Sequence, residues 1–440
     1  MCGELLDFSD FNATLNADLK PRLLVLTTSY PFSLAAEQTF LEPEIRRYQG
    51  LFERIVLVPQ VAQGDRASVP EGVEVDTSLA EGLQAMGRLS LFVRGLLSLG
   101  FYRELWAFPS LLRTPLAVLR MAIARGRVEW MAGWFRRQTG RLTPMVIYAF
   151  WLDKAILAAG ISRARGGRGA VVARAHGGDI YAERHSPAHI PFQRETVALV
   201  DHVAPDSLAG AVYLQRKYPG HAHKIHRALL GTEDPGFRTA ASTDGVVRLV
   251  SCSFLVEVKR VDLLVAGIAA LADRHKGRRI DWTHFGGGPL LDDIRARAES
   301  LLPGQVHWRL LGSVETRIIY DWYREHPVDV FINVSRSEGT PVSIMEAISC
   351  SIPVIATAVG GNQEIVNDSL GQLISANPDA QEIAIAIENV CLQPQRREAL
   401  KNASRAQWET HYNAEANYSV FGKLLQNSSQ TTPVTIPHRR

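Results

Sequence analysis

Residues 334–362, VSRSEGTPVSIMEAISCSIPVIATAVGGN, carry the side chains best suited to chemistry. Glu338 and Glu346 have seven residues between them, and Thr340 and Pro341 lie in that gap. Threonine is a good N-cap, and proline is favoured at the first helical position. The spacing predicts a helix starting at Pro341, with Glu338 in the loop before it and Glu346 inside it. The free N–H groups and positive dipole end at that start, spanning Gly339, Thr340, Pro341 and Val342, suit a phosphate. Two carboxylates beside an anion site repel the anion unless they point elsewhere, where they are good acceptors for hydroxyls. A diphosphate with hydroxyls on either side, as in a nucleotide sugar, matches that pattern. The apolar run Pro353–Thr357 reads as a buried parallel strand leading to Gly360 and Gly361.

Further polar residues stand at other strand ends. Strand 247–253 is followed by Lys259 and Arg260, and positive charge at a helix start is mildly unfavourable, so the pair suits an anion. Strand Ile280–Phe285 ends in Gly286-Gly287-Gly288, a turn able to cradle phosphate. A nicotinamide fingerprint needs glycine at 291, where Leu291 stands, so the turn indicates a Rossmann-like half and argues against NAD. Strand 305–311 leads to Gly312. In the first half of the chain, strand Ala170–Ala175 ends in His176-Gly177-Gly178-Asp179, whose glycines permit close backbone approach. His176 can present a polar edge to a sugar or be a structural histidine. Asp179 either meets a ligand or caps the turn. Glu37 either contacts an acceptor or is an acid at a helix N-terminus.

A chain of 440 residues predicts two domains. With 46% hydrophobic and 21% charged residues it has an ordinary soluble composition, and a net charge of +3 says little about partners. The four cysteines lack metal-ligand spacing, and their scarcity fits a reducing cytoplasm. The first twenty residues lack the pattern of a signal peptide, and no apolar run is long enough for a membrane span. Residues 81–140 hold nine arginines against three acids, interleaved with leucine, phenylalanine and tryptophan. This predicts two or more basic amphipathic helices, which either lie on an anionic membrane surface or pack on a sheet. No nucleic-acid motif accompanies the charge, so no nucleic-acid partner is expected.

Strands alternate with helices on both sides of a turn-rich stretch at 231–245, which predicts two doubly wound domains. Expected are a flexible lead at 1–20, a first Rossmann-like domain at 21–230, the linker 231–245 and a second Rossmann-like domain at 246–400. A helix at 401–426 crosses back to the first domain, and 427–440 is a disordered tail.

Ser335 and Ser337, Glu338, Gly339, Pro341, Glu346, Ala347, Pro353–Thr357, Gly360, Gly361 and Glu364 form a long run. It resembles the donor-site pattern S-x-x-E-G-x-P-x-x-x-x-E-A, P-V-I-A-T, G-G-x-x-E of retaining GT-B glycosyltransferases of family four. The segment Arg174–Tyr181 is similar to that family's R-x-H-G-x-D-x-Y. The resemblance, extended to a bacterial envelope-polysaccharide subgroup, implies a GT-B fold of two Rossmann-like domains facing a cleft. It implies transfer of a hexose from a UDP- or GDP-linked sugar to a glycan or lipid-linked acceptor, with retention. His176 would then lie near the transferred sugar, Glu338 would hold its hydroxyls and Glu346 the ribose hydroxyls. Lys259, with Arg260, would face the leaving diphosphate, and the turn at Gly312 would meet the base through backbone atoms. No D-x-D motif stands near a strand end, so neither a metal nor a cofactor beyond the nucleotide sugar is expected. Phe254 occupies the family's usual arginine position, and Ser33–Glu37 replaces a glycine pair. These departures feed the alternative of a catalytically silent GT-B chain that serves as partner or scaffold of another glycosyltransferase.

Overall fold

The computed structural model describes residues 20–32, 35–138, 145–164 and 169–429. The expected lead and tail lie outside these apart from Lys20 and residues 427–429.

Runs apolar at successive positions, such as Leu23–Leu26 within RLLVLT at 22–27, suit strands covered on both faces. They build two six-stranded parallel sheets. The first contains β1 (Arg22–Thr27), β2 (Arg54–Pro59), β3 (Val73–Val75), β4 (Met145–Ala149), β5 (Val171–Ala175) and β6 (His202–Pro205), in the order β3-β2-β1-β4-β5-β6. The second contains β7 (Val247–Cys252), β8 (Ile280–Phe285), β9 (Val306–Leu310), β10 (Val330–Asn333), β11 (Val354–Thr357) and β12 (Gly371–Ile374), in the order β12-β11-β10-β7-β8-β9. Side chains alternate between faces. Leu24 and Leu26 join one core with Ile147 and Val171, while Leu23 and Val25 join another with Val146 and Val172.

Each sheet reverses its order between its own first and fourth strands. Leu26 pairs with Ala149 across β1 and β4, and Val250 with Phe331 across β7 and β10. The connections leave in opposite directions there, which opens a crevice at the strands' carboxyl ends. The strands β3 and β12 were not expected from the sequence, because VEV and GQLI are short and broken by the polar Glu74 and Gln372.

The chain divides at 229/230 and again at 415/416. Residues 231–245 are therefore part of the second unit rather than a free linker. Trp408 Nε1 donates to Thr232 Oγ1 (2.8 Å), and Arg405 pairs with Asp234 (2.7 Å). Buried Asp329 accepts from the Ser242 and Arg248 amides, both at 2.9 Å, and from Arg397 (2.8 Å). Turn residues forecast irregular backbone, and irregular backbone still packs. The helix Pro394–Gln407, which supplies Arg397 and Arg405, also stays in the second unit. The return to the first unit starts at 416, within the helix Ala414–Ser428. Phe421, Leu424 and Leu425 of that helix enter the core around Leu23. Beneath Phe421 lies Arg174, 4.1 Å from the ring centroid and paired with buried Glu44 at 3.3 Å.

Residues 78–138 form helices Ser78–Ala85, Arg88–Leu96, Leu99–Ala107 and Pro115–Gln138, with a 3-10 turn at Pro109–Arg113. The second and fourth of these helices touch backbone to backbone. A Cβ at Gly95 would lie 1.8 Å from Ala122 O, and one at Gly126 1.8 Å from Leu91 O.

Asp329→Ala removes the acceptor shared by two buried amides and Arg397. It should lower the stability of the second unit by about 3 kcal/mol, read from the urea midpoint of the full chain. An unchanged midpoint would show that the 231–245 stretch is held by other contacts.

Candidate active site

The crevice between β7 and β10 gathers most of the polar residues singled out from the sequence. β10 ends at Asn333, whose Oδ1 accepts from the Ser335 amide (3.0 Å) and so turns the chain across the strand end. Asn333 Nδ2 (3.0 Å) and Ser335 Oγ (2.6 Å) both donate to Glu338 Oε1. Lys259 Nζ reaches the same oxygen at 2.6 Å. Three donors fix this carboxylate, and the ammonium keeps an exposed flank, with 24% of its side chain accessible. The arrangement holds a cation beside an acceptor at the open end of the sheet.

The loop after Glu338 is held by the glycine pair. The Gly361 amide donates to Gly339 O (3.0 Å). A Cβ at Gly361 would lie 1.9 Å from Gly339 O, and one at Gly360 would lie 2.1 Å from Glu338 O. Gly360 also has φ +45°, where side chains are strained. The helix runs Val342–Ser349 and starts one residue later than the spacing predicts. Pro341 is the boundary residue, with ψ 94°, and Thr340 is not the cap. Pairing of 339 with 361 holds the loop before the helix, where Pro341 is extended, and overrides the local capping signal.

Glu346 sits on that helix and is 7% exposed. Among the described residues no donor is placed on its carboxylate, and burial alone pushes its pKa up to about 7. A buried carboxylate with no donor carries a desolvation cost that ligand hydroxyls would relieve.

Arg260 points inward. Its backbone is left-handed (φ 50°), and its guanidinium donates to Val334 O, Ser335 O, Ala376 O and Asn377 Oδ1 at 2.7–3.3 Å. It braces the loop carrying Ser335, while Lys259 is the cation left toward the opening. The turn after β8 is pressed onto residues 253–255. A Cβ at Gly286 would lie 1.9 Å from Ser253 O, and Gly288 backs onto Leu255. The Gly286 amide donates to Gly312 O (2.8 Å) and the Gly287 amide to Ser313 Oγ (3.1 Å). Phe254, between these contacts, is 57% exposed.

In the first unit the corresponding strand ends are fixed by acids. Glu37 Oε1 accepts from the Thr28 amide (2.9 Å) and Trp151 Nε1 (2.5 Å), and its Oε2 accepts from the Ser29 and Tyr30 amides (2.9 and 3.1 Å). Asp179 accepts from the His176 and Leu152 amides, both at 2.7 Å, and burial lifts its pKa to about 7. Of the alternatives open for each acid, both occupy the structural one. Each holds a turn at a strand's carboxyl end. His176 Nδ1 lies 3.0 Å from Asp206 Oδ2 and Nε2 3.0 Å from Phe150 O. Both partners accept, an arrangement that favours the doubly protonated ring. Burial opposes that charge, but the hydrogen bond and charge of Asp206, with Asp179, outweigh it and raise the pKa. The ring also lies against Phe150 and Trp151.

Asn333, Trp151 and Asp206 received no role from the sequence. Asn333 and Asp206 stand at or just after a strand end, and that position was their only signal. Among the described residues no group of three His, Cys, Asp or Glu is gathered as metal ligands.

Residues 247–393 match the family model described as glycosyl transferases group 1. D-inositol 3-phosphate glycosyltransferase of Saccharomonospora viridis is 27% identical over 230 residues, 48% of this chain and 52% of that protein. The amylovoran biosynthesis glycosyltransferase AmsK of Erwinia amylovora is 24% identical over 214 residues, 47% of this chain and 51% of that protein. The chain thus spans about half the length of these curated relatives. Among solved structures, the lipopolysaccharide outer core galactosyltransferase WaaB superposes with a TM-score of 0.63 at 14% identity, covering 91% of this chain and 99% of that one. Anabaena Alr3699/HepE, solved with UDP and glucose, gives 0.61 at 16%, covering 92% and 100%. The chain has the GT-B glycosyltransferase fold.

The raised pKa of Glu346 has a definite sign. The folded state holds the proton up to about pH 7, whereas an unfolded glutamate releases it near 4.5. This group's contribution to stability is therefore complete below about pH 4.5 and is lost as pH rises through 7. Glu346→Gln should remove that loss and make the ligand-free protein relatively more stable above pH 7, by an amount of order 3 kcal/mol. Urea midpoints of the two proteins between pH 4.5 and 8 test this. Parallel profiles would mean the carboxylate is solvated.

Proposed function

We propose, from a C-terminal unit that carries a glycosyl transferases group 1 domain on a GT-B fold, that this protein is a retaining glycosyltransferase. It moves a hexose from a UDP- or GDP-linked sugar to a glycan or lipid-linked acceptor in envelope or exopolysaccharide synthesis, working at the inner face of a membrane. The observation that carries the reading is Glu346, a buried carboxylate without a donor among the described residues, beside the strand end that holds Glu338 and Lys259. Vicinal hydroxyls of a ribose are donors of the right kind. Relatives point the same way. HepE is described with UDP-glucose, and a Corynebacterium glutamicum relative is named a GDP-mannose-dependent mannosyltransferase.

In this mechanism the bond from the anomeric carbon to the diphosphate oxygen breaks, and its electron pair stays on the diphosphate. The acceptor hydroxyl bonds to the same carbon on the same face and passes its proton to the leaving phosphate. Charge grows on the leaving group, and Lys259 with the amides of Gly339, Thr340, Val342 and Ser343 stabilises it. A preorganised donor of this kind is worth about 3–4 kcal/mol in the transition state. Glu338, held by Asn333 and Ser335, accepts hydroxyls of the transferred hexose. His176, as an imidazolium, donates toward the sugar if it leaves the Phe150 carbonyl. No metal and no further cofactor enters the scheme.

Thermal stabilisation against UDP, GDP, ADP, TDP and NAD tests the reading. One of UDP or GDP should stabilise by about 2.7 kcal/mol at a hundred times its dissociation constant. Glu346→Ala and Lys259→Ala should each weaken that shift, and Lys259→Ala should slow transfer about 10²- to 10³-fold. No shift at millimolar concentration with any of the five would replace the transferase with a silent GT-B partner chain.

A further inference from the structure

The helices of residues 88–120 are amphipathic in two senses. Their inner sides pack on the first unit, and their outer sides are also apolar. Twenty large hydrophobic side chains are exposed among the described residues, and ten of them lie between 89 and 119. On the helix Arg88–Leu96, Leu91 and Gly95 face inward. Leu89 and Val93 stand two residues away, about 200° round the helix, and Leu97 continues their stripe. On the helix Leu99–Ala107, Phe101 and Glu104 face inward, while Leu99, Tyr102 and Trp106 recur at i, i+3 and i+7 on the outside. That spacing marks a core-facing stripe, yet Leu97 is 80% and Trp106 87% exposed. A contiguous apolar face of this kind on a surface is an interaction site.

Charge selects the occupant. Residues 88–120 contain five arginines, no lysine and one acid, Glu104. Glu104 is buried, where it accepts from the Phe192 amide and pairs with His189, both at 2.8 Å. The five arginines are all exposed, so the face is apolar and purely cationic. Arg94 and Arg103 also stand, with Leu97 and Leu99, around a cavity of about 450 Å³. Its floor is Arg125, paired with Glu129 and Glu195, so that Arg94 and Arg103 leave the lining with a net positive charge. A second copy docked about a two-fold axis would set these arginines against themselves. Nucleic acid would pair with the arginines and leave the leucines and Trp106 in water. An anionic bilayer satisfies both sets, with phosphates for the arginines and the acyl boundary for the apolar side chains. No helix among the described residues is long and apolar enough to cross a membrane, so the contact is with the surface.

We infer that the outer face of residues 88–120 is a docking surface for an anionic lipid bilayer. Leu97 and Trp106 enter the acyl boundary, and Arg94 and Arg103 hold lipid phosphates at the cavity mouth. The inference rests on the membrane part of the functional reading above and not on glycosyl transfer.

Co-sedimentation of the full-length protein with phosphatidylcholine vesicles, with and without 30% phosphatidylglycerol (roughly the anionic share that attracts basic surfaces), tests it. Binding is expected to the anionic vesicles and to be weak with phosphatidylcholine alone. Leu97→Ser with Trp106→Ser should abolish it. Arg94→Gln with Arg103→Gln should weaken it about fivefold per arginine. Leu208→Ser, an exposed site elsewhere on the unit, should leave it unchanged. The same samples are read for thermal stabilisation by UDP and GDP. Stabilisation without vesicle binding would overturn the docking surface alone, and vesicle binding without stabilisation would overturn the transferase alone. A dimer that the serine pair disperses, with no vesicle binding, would assign the face to a second copy.

Discussion

Both units depend on one topological constraint. A parallel strand needs a crossover to reach its neighbour, and the direction of crossing reverses once in each sheet, between β1 and β4 and between β7 and β10. At that reversal no helix covers the strand ends, so backbone amides and polar side chains collect there. Glu37, Trp151 and His176 gather at one reversal. Lys259, Asn333 and Glu338 gather at the other. Each set comes from segments far apart in the chain.

What each acid does follows from how many donors its surroundings supply. Glu37 and Asp179 have donors on every carboxylate oxygen and hold turns in shape. Glu338 is fixed by three donors on one oxygen. Glu346 is equally buried and has none from the described residues. Desolvation acts on all of these groups, and of the four only Glu346 lacks compensation from the described residues. The same division separates the adjacent cations. Arg260 places four hydrogen bonds on the protein's own oxygens, whereas Lys259 makes one contact at the rim. A brace and a working charge stand side by side.

The basic helical segment shows how packing can free a surface. Glycines at 95 and 126 bring two helices into backbone contact, so one narrow side of Arg88–Leu96 suffices to anchor it. The remaining sides need not serve the core. Leucines there can be spent on an external contact without loosening the unit.

Legibility in the sequence followed the reach of each interaction. Apolar stretches marked strands such as Ala170–Ala175 and Pro353–Thr357, because a strand covered on both faces needs few polar positions. The two missed strands, β3 and β12, carry polar Glu74 and Gln372 within three or four residues and so leave no apolar run. Glu338, Glu346 and Lys259 were singled out by type and spacing, since an acceptor and a cation each restrict the residue allowed, whereas the close backbone contacts of Gly360 and Gly361 were not. Tertiary structure alone decided that Arg260 turns inward, that Glu37 and Asp179 are saturated, that Asn333 orients Glu338, and that 231–245 packs on the second unit. Those outcomes depend on which donors, carbonyls and surfaces other segments bring within hydrogen-bonding distance. A residue's type states what it can bind, and only the fold states what is there to be bound.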